Sequence, residues 1–455
     1  MRMRARRLAD VLWLPAKCVR VRAPIFNRVV FVPITPLMHR IAVSLILLAL
    51  APSAAAAQTP YPLGRLVPLE YAQAPDTVPR GPVGDYPEDW AKCGDGHHPE
   101  AQVYPHELDP RAVDPAAPNP LVGTKWFVDR MEPAYTQWAR WKRAGKDGDA
   151  QEIWKLAREP RFRWFGRFTS PRMQKKVRGF LDRVQCDQPG AVPMMVVMRH
   201  QGRACRPDYL AGGLAEDRRT MRWYDHFAEA VGDARVVIAF EPDSLGTIDC
   251  LAPSRRGDRL RMLRHGVDVL SQLPNATIYL EAGASDWEPA SRTAKQLRAI
   301  GVSKVRGFML NVTHHDWTRA NIQHGLEISR LVGGKHFIVN TSYNGRGPIH
   351  YRRWLNRSKH IWRTINVWCH PGLRGLGPAP TTATSRPDKV DAYMYINRPG
   401  YSAGACNGGP LPIGTWWPAR GLMYAKYATS WEGPPPGTKY GLFGRYSLRD
   451  LGAFK

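Results

Sequence analysis

The sequence predicts an α/β fold in which parallel strands close into a barrel. Strand-like apolar runs at 194–198, 235–240, 276–280, 307–312 and 336–340 alternate with helical runs at 219–231, 259–272, 293–299 and 321–331. This alternation is typical of βαβ units and a parallel sheet. Five strands alternate cleanly and more than 100 residues follow them, which favours a barrel over an open sheet.

Polar and aromatic side chains gather where the predicted strands end. They occupy 199–201, 241–243, 281–287, 311–315 and 340–344. Because the carboxyl ends of parallel strands carry the chemistry in barrel folds, these segments are the candidate site. The chain holds 16 tryptophans, and a tryptophan at a strand end can stack on a sugar ring while its N–H stays hydrogen-bonded.

The strongest candidate within these segments is Glu241-Pro242-Asp243, which directly follows an apolar strand. Proline cannot donate to a strand ladder, so the strand stops there and presents both carboxylates at its carboxyl end. A carboxyl held against an apolar wall has a raised pKa and can act as a general acid. The residues alone leave a second interpretation equally open, a strand end with an N-capping aspartate.

The first 118 residues are expected to lie outside the catalytic unit. Residues 1–37 have no evident structural purpose, so we interpret Met38 as the true start, followed by an apolar run and cleavage near Ala57. A proline-rich leader then covers 58–118, and residues 119–455 form the catalytic domain. This secretion signal predicts an extracellular protein without a membrane span.

Removal of the signal changes both the cysteine count and the net charge. Cleavage removes Cys18 and leaves six cysteines, an even set that predicts disulfides in an exported chain. The net charge of +26 falls to roughly +18. Such a charge suits acidic glycans or nucleic acid, but the basic residues are dispersed and no nucleic-acid motif accompanies them. No metal or cofactor motif is found, and we expect a monomer that needs neither.

Ordered motifs across 119–430 resemble glycoside hydrolase family 6, the inverting β-1,4-glucanases that include endoglucanases and cellobiohydrolases. They include Asn119-Pro120, Trp164-Phe165-Gly166, the 241–245 segment, Glu281-Ala-Gly283, Asn311-Val312, Trp368-Cys369 and Pro399-Gly400. The resemblance implies a distorted parallel barrel with its cleft or tunnel at the carboxyl ends of the strands. It also implies two disulfides that brace active-site loops, Cys205–Cys250 and Cys369–Cys406. Cys93–Cys186 is then the remaining pair, and it is not carried over from the family.

The resemblance also assigns roles. Asp243 matches the general acid that protonates the leaving glycosidic oxygen. Trp126, Trp287 and Trp368 match aromatic platforms for sugar rings, and Asn311 matches a hydroxyl-binding amide. An inverting enzyme needs in addition a base across the sugar, roughly 6.5–9.5 Å from the acid.

Several partners of the acid differ from the family pattern. The family has Arg-Asp-Cys where this chain has Arg203-Ala204-Cys205, and the proposed base position is Ala403. In this chain Asn397 and Tyr401 replace the sugar-binding lysine and glutamate of the family. Glu281 replaces the aspartate after the third strand, and Ala284 replaces a nearby histidine. Glu281 and Asp208, with Glu241 as a further carboxylate, are therefore the base candidates, and a water chain is the other route for the proton.

The sequence thus predicts a secreted glycoside hydrolase that cleaves β-1,4-linked glucan by inverting acid chemistry with a displaced base. Two alternatives stay open: a non-catalytic carbohydrate-binding protein that retains the fold, or a hydrolase for a different, possibly anionic, glycan.

Overall fold

The structure, a computed structural model, describes residues 118–169, 172–200, 213–356 and 361–435, together with two strands nearer the start. Those strands, β1 (Cys18–Arg22) and β2 (Val29–Pro33), pair antiparallel within a separate unit that covers Met1–Gln58. The predicted signal cleavage site and most of the leader at 58–118 lie outside the described residues.

A seven-stranded sheet organises the second unit, and all its neighbouring strands pair in parallel. In chain order the strands are β3 (Arg163–Gly166), β4 (Met194–Met198), β5 (Val236–Phe240), β6 (Ala276–Glu281), β7 (Gly307–Leu310), β8 (His336–Asn340) and β11 (Val390–Met394). They lie in the order β11-β8-β7-β6-β5-β4-β3. β9 (His350–Asn356) and β10 (Ile361–Asn366) form an antiparallel hairpin outside this sheet. The predicted distorted parallel barrel is confirmed.

Helices lie before, between and after the strands of this sheet. They are α1 (Pro133–Arg143), α2 (Asp147–Ala157), α3 (Met173–Asp187), α4 (Gly213–Val231), α5 (Pro253–Leu270), α6 (Ala290–Ile300), α7 (Thr318–Leu331) and α8 (Pro418–Lys426). None of those in the described part of the chain combines the length and the apolar character that crossing a bilayer requires.

Both faces of the sheet are buried, as expected when helices cover a parallel sheet. Alternate residues of the strands, such as Ile238 and Phe308, pack outward against the helices in the largest apolar cluster. The residues between them, such as Val237 and Met309, fill the inside of the curled sheet. The central strands β4 and β5 are therefore continuous apolar runs, and the polar residues lie beyond their ends.

The barrel is only partly closed between its first and last strands. A single parallel bridge, Arg161 with Tyr395, joins the chain before β3 to the chain after β11. The Trp164 indole N–H donates to the Ile396 carbonyl 2.9 Å away and adds a second link. This seam therefore lies beside the carboxyl end of β11, where Asn397 and Arg398 follow.

A buried ion pair lies at the amino ends of the strands, opposite the carboxyl ends. Asp391, near the start of β11, has no exposed surface and accepts two hydrogen bonds of 2.8 Å from Arg306. The Tyr279 hydroxyl donates to the same carboxylate at 2.6 Å, and His336 Nδ1 lies 3.0 Å from it. These contacts tie β6, β7, β8 and β11 together at one point.

Candidate active site

Asp243 lies at the carboxyl end of β5 in a backbone conformation that few residues adopt. Its φ is +70°, and Glu241 and Asn311, which also follow strands, have φ values of +56° and +67°. Left-handed conformations at non-glycine residues are strained and concentrate at functional sites. The Thr313 hydroxyl donates to Asp243 Oδ1 at 2.6 Å, which fixes the carboxylate from the loop after β7.

Glu281, the last residue of β6, lies directly beside Asp243. Its carboxylate is buried and accepts hydrogen bonds from the backbone N–H of Asp243 and from that of Gly283, the latter at 2.7 Å. Burial raises the pKa of Glu281 well above its usual range, and the neighbouring charge of Asp243 raises it further. The two carboxyls therefore favour a state in which Glu281 holds a proton.

This position does not favour Glu281 as the base. An inverting base lies across the sugar from the acid, with room between the two carboxyls for a water molecule. Glu281 instead contacts the backbone of the acid residue itself and is buried, so no sugar ring fits between them. The position of Glu281 beside Asp243 instead brings two carboxyl groups together, and their mutual repulsion makes it harder for the pair to lose its last proton.

Glu241 has a structural position. Its carboxylate is fully buried and accepts hydrogen bonds from Arg199 N–H at 2.7 Å and the Tyr224 hydroxyl at 2.6 Å. The His200 ring is a third partner. Burial raises the pKa of Glu241, but the His200 charge and these donors outweigh it and lower the pKa overall. Glu241 therefore joins the end of β4 to α4 and has no capacity left to act as a base.

The loop at Ala403 carries no carboxylate at the position that matches the base. The Ala403 N–H donates to His370 Nε2 at 2.8 Å, while His370 Nδ1 donates to the Cys406 carbonyl at 2.9 Å. Burial lowers the pKa of His370, and the nearby Arg420 lowers it further, so this histidine is neutral. The Ala403 side chain itself is exposed.

One predicted disulfide, Cys369–Cys406, is confirmed and holds this loop. Cys186 and Cys250 are also disulfide-bonded. Their expected partners, Cys93 and Cys205, lie outside the described residues, so the pairings Cys93–Cys186 and Cys205–Cys250 stay predictions. The same holds for the base candidate Asp208 and for Ala204.

The three tryptophans predicted as aromatic platforms lie in three different environments. Trp287 follows β6, stacks on His314 with ring centroids 4.6 Å apart, and lies so close to Gly246 that a β-carbon there would approach it to 2.5 Å. Trp368 is 41% exposed beside the disulfide. Trp126 pairs with Val192, ahead of β4 at the amino edge of the sheet. The structure therefore does not bring Trp126 to the edge that holds Asp243.

The three predicted polar sugar contacts are largely engaged within the protein. Asn311 is fully buried and its amide donates to two backbone carbonyls. The Asn397 amide donates to the Val312 carbonyl at 2.7 Å and to the Tyr343 hydroxyl at 2.6 Å. The Tyr401 hydroxyl donates to Glu132 at 2.6 Å. Asn311 therefore has a structural position within the protein, whereas Asn397 and Tyr401 are partly exposed.

Sequence reasoning missed two residues near the site. Thr313 fixes the Asp243 carboxylate, and its only sequence signal is its place in a polar segment after a strand. Trp164 lies at the seam against Ile396, next to Asn397. Trp164 is part of a motif in the sequence, but it lies within the short strand β3 rather than after a strand, so the polar and aromatic segments at strand ends do not include it.

Among the residues that the structure describes, one group of side chains has the spacing of a metal site: Cys369, His370 and Cys406, whose ligand atoms lie within 4.8 Å of one another. The two sulfurs are joined in the disulfide. A disulfide sulfur is not a thiolate, so this group lacks the ligands that a metal ion needs.

Comparison with known proteins identifies the family. The model of the glycosyl hydrolases family 6 matches residues 121–426. The chain belongs to this family. It is 31% identical over 313 residues to endoglucanase A of Cellulomonas fimi, a match that covers 68% of this chain and 62% of that protein. It is 27% identical to endoglucanase 1 of Streptomyces halstedii, covering 66% of this chain and 88% of that one.

A solved structure gives the same family assignment. The endoglucanase Cel6 from Mycobacterium tuberculosis is 32% identical, with a TM-score of 0.58 over 68% of this chain and 99% of that one. Endoglucanase CEL6B from Humicola insolens, at 19% identity and a TM-score of 0.54, supports the fold alone.

Proposed function

We propose that this protein is a secreted glycoside hydrolase that cleaves β-1,4-linked glucan with inversion, using Asp243 as the general acid. The observation that carries the proposal is the pair formed by Asp243 and Glu281 at the carboxyl end of the sheet. Thr313 fixes the carboxylate of Asp243, and the carboxylate of Glu281 is buried against the backbone of Asp243. The relatives from Cellulomonas fimi and Streptomyces halstedii are named endoglucanases, and the Mycobacterium tuberculosis structure is a complex with a thio-linked cellobioside.

The proposed chemistry follows from inversion. Asp243 donates its proton to the glycosidic oxygen as that bond breaks, and a water molecule attacks the anomeric carbon from the opposite face. The proton of that water passes to a base other than Ala403. Asp208 is the remaining carboxylate candidate, and a chain of water molecules is the alternative route.

The test is the anomeric form of the first product. We expect purified residues 58–455 to release the α-anomer first from β-1,4-glucan oligosaccharides, followed in real time by proton NMR. Mixed-linkage glucan, xylan and cell-wall glycans define the substrate range in parallel reducing-sugar assays. Initial release of the β-anomer would contradict inversion. Binding of a glycan without any turnover would support the second candidate function below.

That second candidate is a carbohydrate-binding protein that has lost catalysis. The observation that favours it is the loop at Ala403, where a neutral histidine accepts the backbone N–H and the position matched to the base has only a methyl group. We rank it second because a pure binder has no use for the arrangement of Asp243, Thr313 and Glu281.

Introducing a carboxylate at position 403 is expected to raise activity. Ala403 is exposed, so Ala403→Asp adds a charge without displacing a neighbour, and a well-placed general base contributes about 10²–10⁴-fold. We expect kcat on β-1,4-glucan to rise by at least about tenfold. Ala403→Asn is the matched control, with the same size and no basic group. Equal rates for the two variants would contradict the idea that this position lacks its base.

Replacing Glu281 by glutamine is expected to move the pH profile. Activity falls as pH rises through the pKa of the acid pair, because the acid must hold its proton. Glu281→Gln removes the carboxyl whose pKa is raised by burial and by the charge of Asp243, so Asp243 is left to hold the proton alone and the alkaline limb of kcat moves to lower pH. The measurement is kcat against pH for both proteins. A limb that stays in place while activity falls uniformly would assign Glu281 a purely structural role.

A further inference from the structure

The seam between β3 and β11 carries three arginines, Arg161, Arg163 and Arg398, which we call the seam arginines. Arg161 pairs with Tyr395 through the backbone, and Arg398 lies three residues after Tyr395 in the chain. Burial is the largest cause of the lowered pKa of Arg398; Tyr401 and Glu132 act to raise this pKa, whereas the charges of Arg163 and Arg161 lower it further. The three guanidinium groups therefore lie within electrostatic reach of one another.

Two of the seam arginines have no carboxylate partner within the part of the chain that the structure describes. Arg161 is 6% exposed, and its Nε and Nη1 are buried without a hydrogen-bond acceptor. Arg398 lies over the rings of Tyr401 at 4.2 Å and Trp164 at 6.0 Å, contacts that hold the guanidinium plane but accept none of its N–H groups as a carboxylate would. Arg398 is half-buried, but the Arg161 guanidinium is buried, and a buried guanidinium without an acceptor is costly, so a missing acceptor is indicated at Arg161.

The carboxylates nearby are already in use. Glu132 accepts from the Tyr401 hydroxyl at 2.6 Å and, at 3.4 Å, from Arg163. Glu159 accepts from Arg158 at 3.1 Å, so its carboxylate is paired with an arginine other than the seam arginines. The seam therefore keeps an excess of positive charge.

This positive seam adjoins the candidate active site. Asn397, the neighbour of Arg398, donates to the Val312 carbonyl, and the next residue, Thr313, fixes the carboxylate of Asp243. Asn397 and Tyr401 also occupy the positions that resemble the sugar-binding lysine and glutamate of the family. An anionic group carried by a glycan in the cleft would thus lie near the seam arginines.

We propose that the seam arginines bind a carboxylate of the glycan, so that the preferred substrate is an acidic β-1,4-linked glycan of the uronate type. A planar guanidinium binds a carboxylate through two parallel hydrogen bonds, which neutral hydroxyl groups cannot replace. This inference rests on the proposed function and narrows its substrate.

The test compares two ligands of equal length, β-1,4-linked glucose tetramer and its counterpart with a carboxylate at every C6. Both are titrated by calorimetry into the Asp243→Asn protein, which is used so that neither ligand is cleaved, at about 0.15 M ionic strength to screen long-range attraction. We expect the acidic tetramer to bind about 10- to 100-fold more tightly, the range of a charge-assisted hydrogen bond. Equal or weaker binding of the acidic ligand overturns the inference and leaves the proposed function standing. Failure to bind either ligand contradicts the proposed function itself.

Variants locate the site. Arg398→Gln and Arg161→Gln are each expected to remove most of the preference for the acidic tetramer and to leave binding of the neutral one nearly unchanged. Arg264→Gln, an exposed arginine on α5, is the control that makes the same change of charge elsewhere. If a buried arginine cannot be replaced without unfolding, Arg163→Gln, whose side chain is 44% exposed, is measured in the same way. Loss of preference in the Arg264→Gln control to the same extent would overturn the assignment to the seam.

Discussion

Replacing Asp243 by asparagine is expected to lower kcat on β-1,4-glucan by about 10²–10⁴-fold, the usual contribution of a positioned general acid. The amide cannot donate the proton that the leaving oxygen needs. Binding of the glycan should change little, because Thr313 can still contact the side chain. The measurements are reducing-sugar kinetics and calorimetric affinity for the same oligosaccharide.

Two controls separate acid catalysis from general damage. Asp268→Asn removes a half-exposed carboxylate on α5 that pairs with Lys304, and it should leave kcat unchanged. A substrate with a dinitrophenyl leaving group needs little protonation, so the Asp243→Asn protein should lose far less activity on it. An equal loss on both substrates would contradict the role of Asp243 as acid and would indicate a structural role at the end of β5.

The strands of the central sheet could be predicted because they are buried on both faces. β4 and β8 have the bounds that their apolar runs predict, and β7 is shorter only because its last predicted residues turn into the loop of Asn311. The central helices were predicted too short at their starts. α5 begins at Pro253 and α7 at Thr318, since the first turn of a helix needs no apolar residue and proline suits it.

The edge elements could not be predicted in the same way. β3 has only four residues, Arg-Trp-Phe-Gly, and follows Arg161-Phe162, so no continuous apolar run marks it. β11 contains Asp391, a charge that argues against a buried strand until its partner Arg306, 85 residues away, is known. Long-range pairing of this kind is invisible to local patterns.

In the candidate site, too, some features could be predicted from the sequence and others depend on tertiary contacts. Glu281 ends β6, and Asp243 and Trp287 lie in the loops after β5 and β6, so their convergence at one edge of the sheet followed from the parallel fold alone. The functions of Glu241 and Glu281 did not follow, because they depend on burial and on which donors surround each carboxylate. Two glutamates at neighbouring strand ends thus have opposite pKa shifts. The seam arginines were likewise hidden, since Arg161 and Arg398 are 237 positions apart in the printed sequence.

Replacing Asp391 by asparagine is expected to produce the largest loss of stability, about 3–5 kcal/mol, the cost of breaking a buried ion pair by removing one partner. Arg306, which is 2% exposed, would keep its charge without the carboxylate that accepts its two hydrogen bonds. The measurement is urea unfolding of both proteins near pH 7. The control is Asp388→Asn, three residues away, whose exposed pair with Arg386 should contribute no more than about 1 kcal/mol.

The dependence of this loss on pH provides a second check. Burial raises the pKa of Asp391, but Arg306, His336 and Tyr279 outweigh it and lower the pKa overall. A carboxylate whose pKa is lower in the folded state stabilises the fold above its unfolded pKa of about 3.9, and this contribution is lost as pH falls through the folded value. The difference in free energy of unfolding between the wild type and Asp391→Asn should therefore be constant above about pH 5 and shrink in stronger acid. A difference that does not change with pH would mean that lost packing, rather than the charge of Asp391, accounts for the effect.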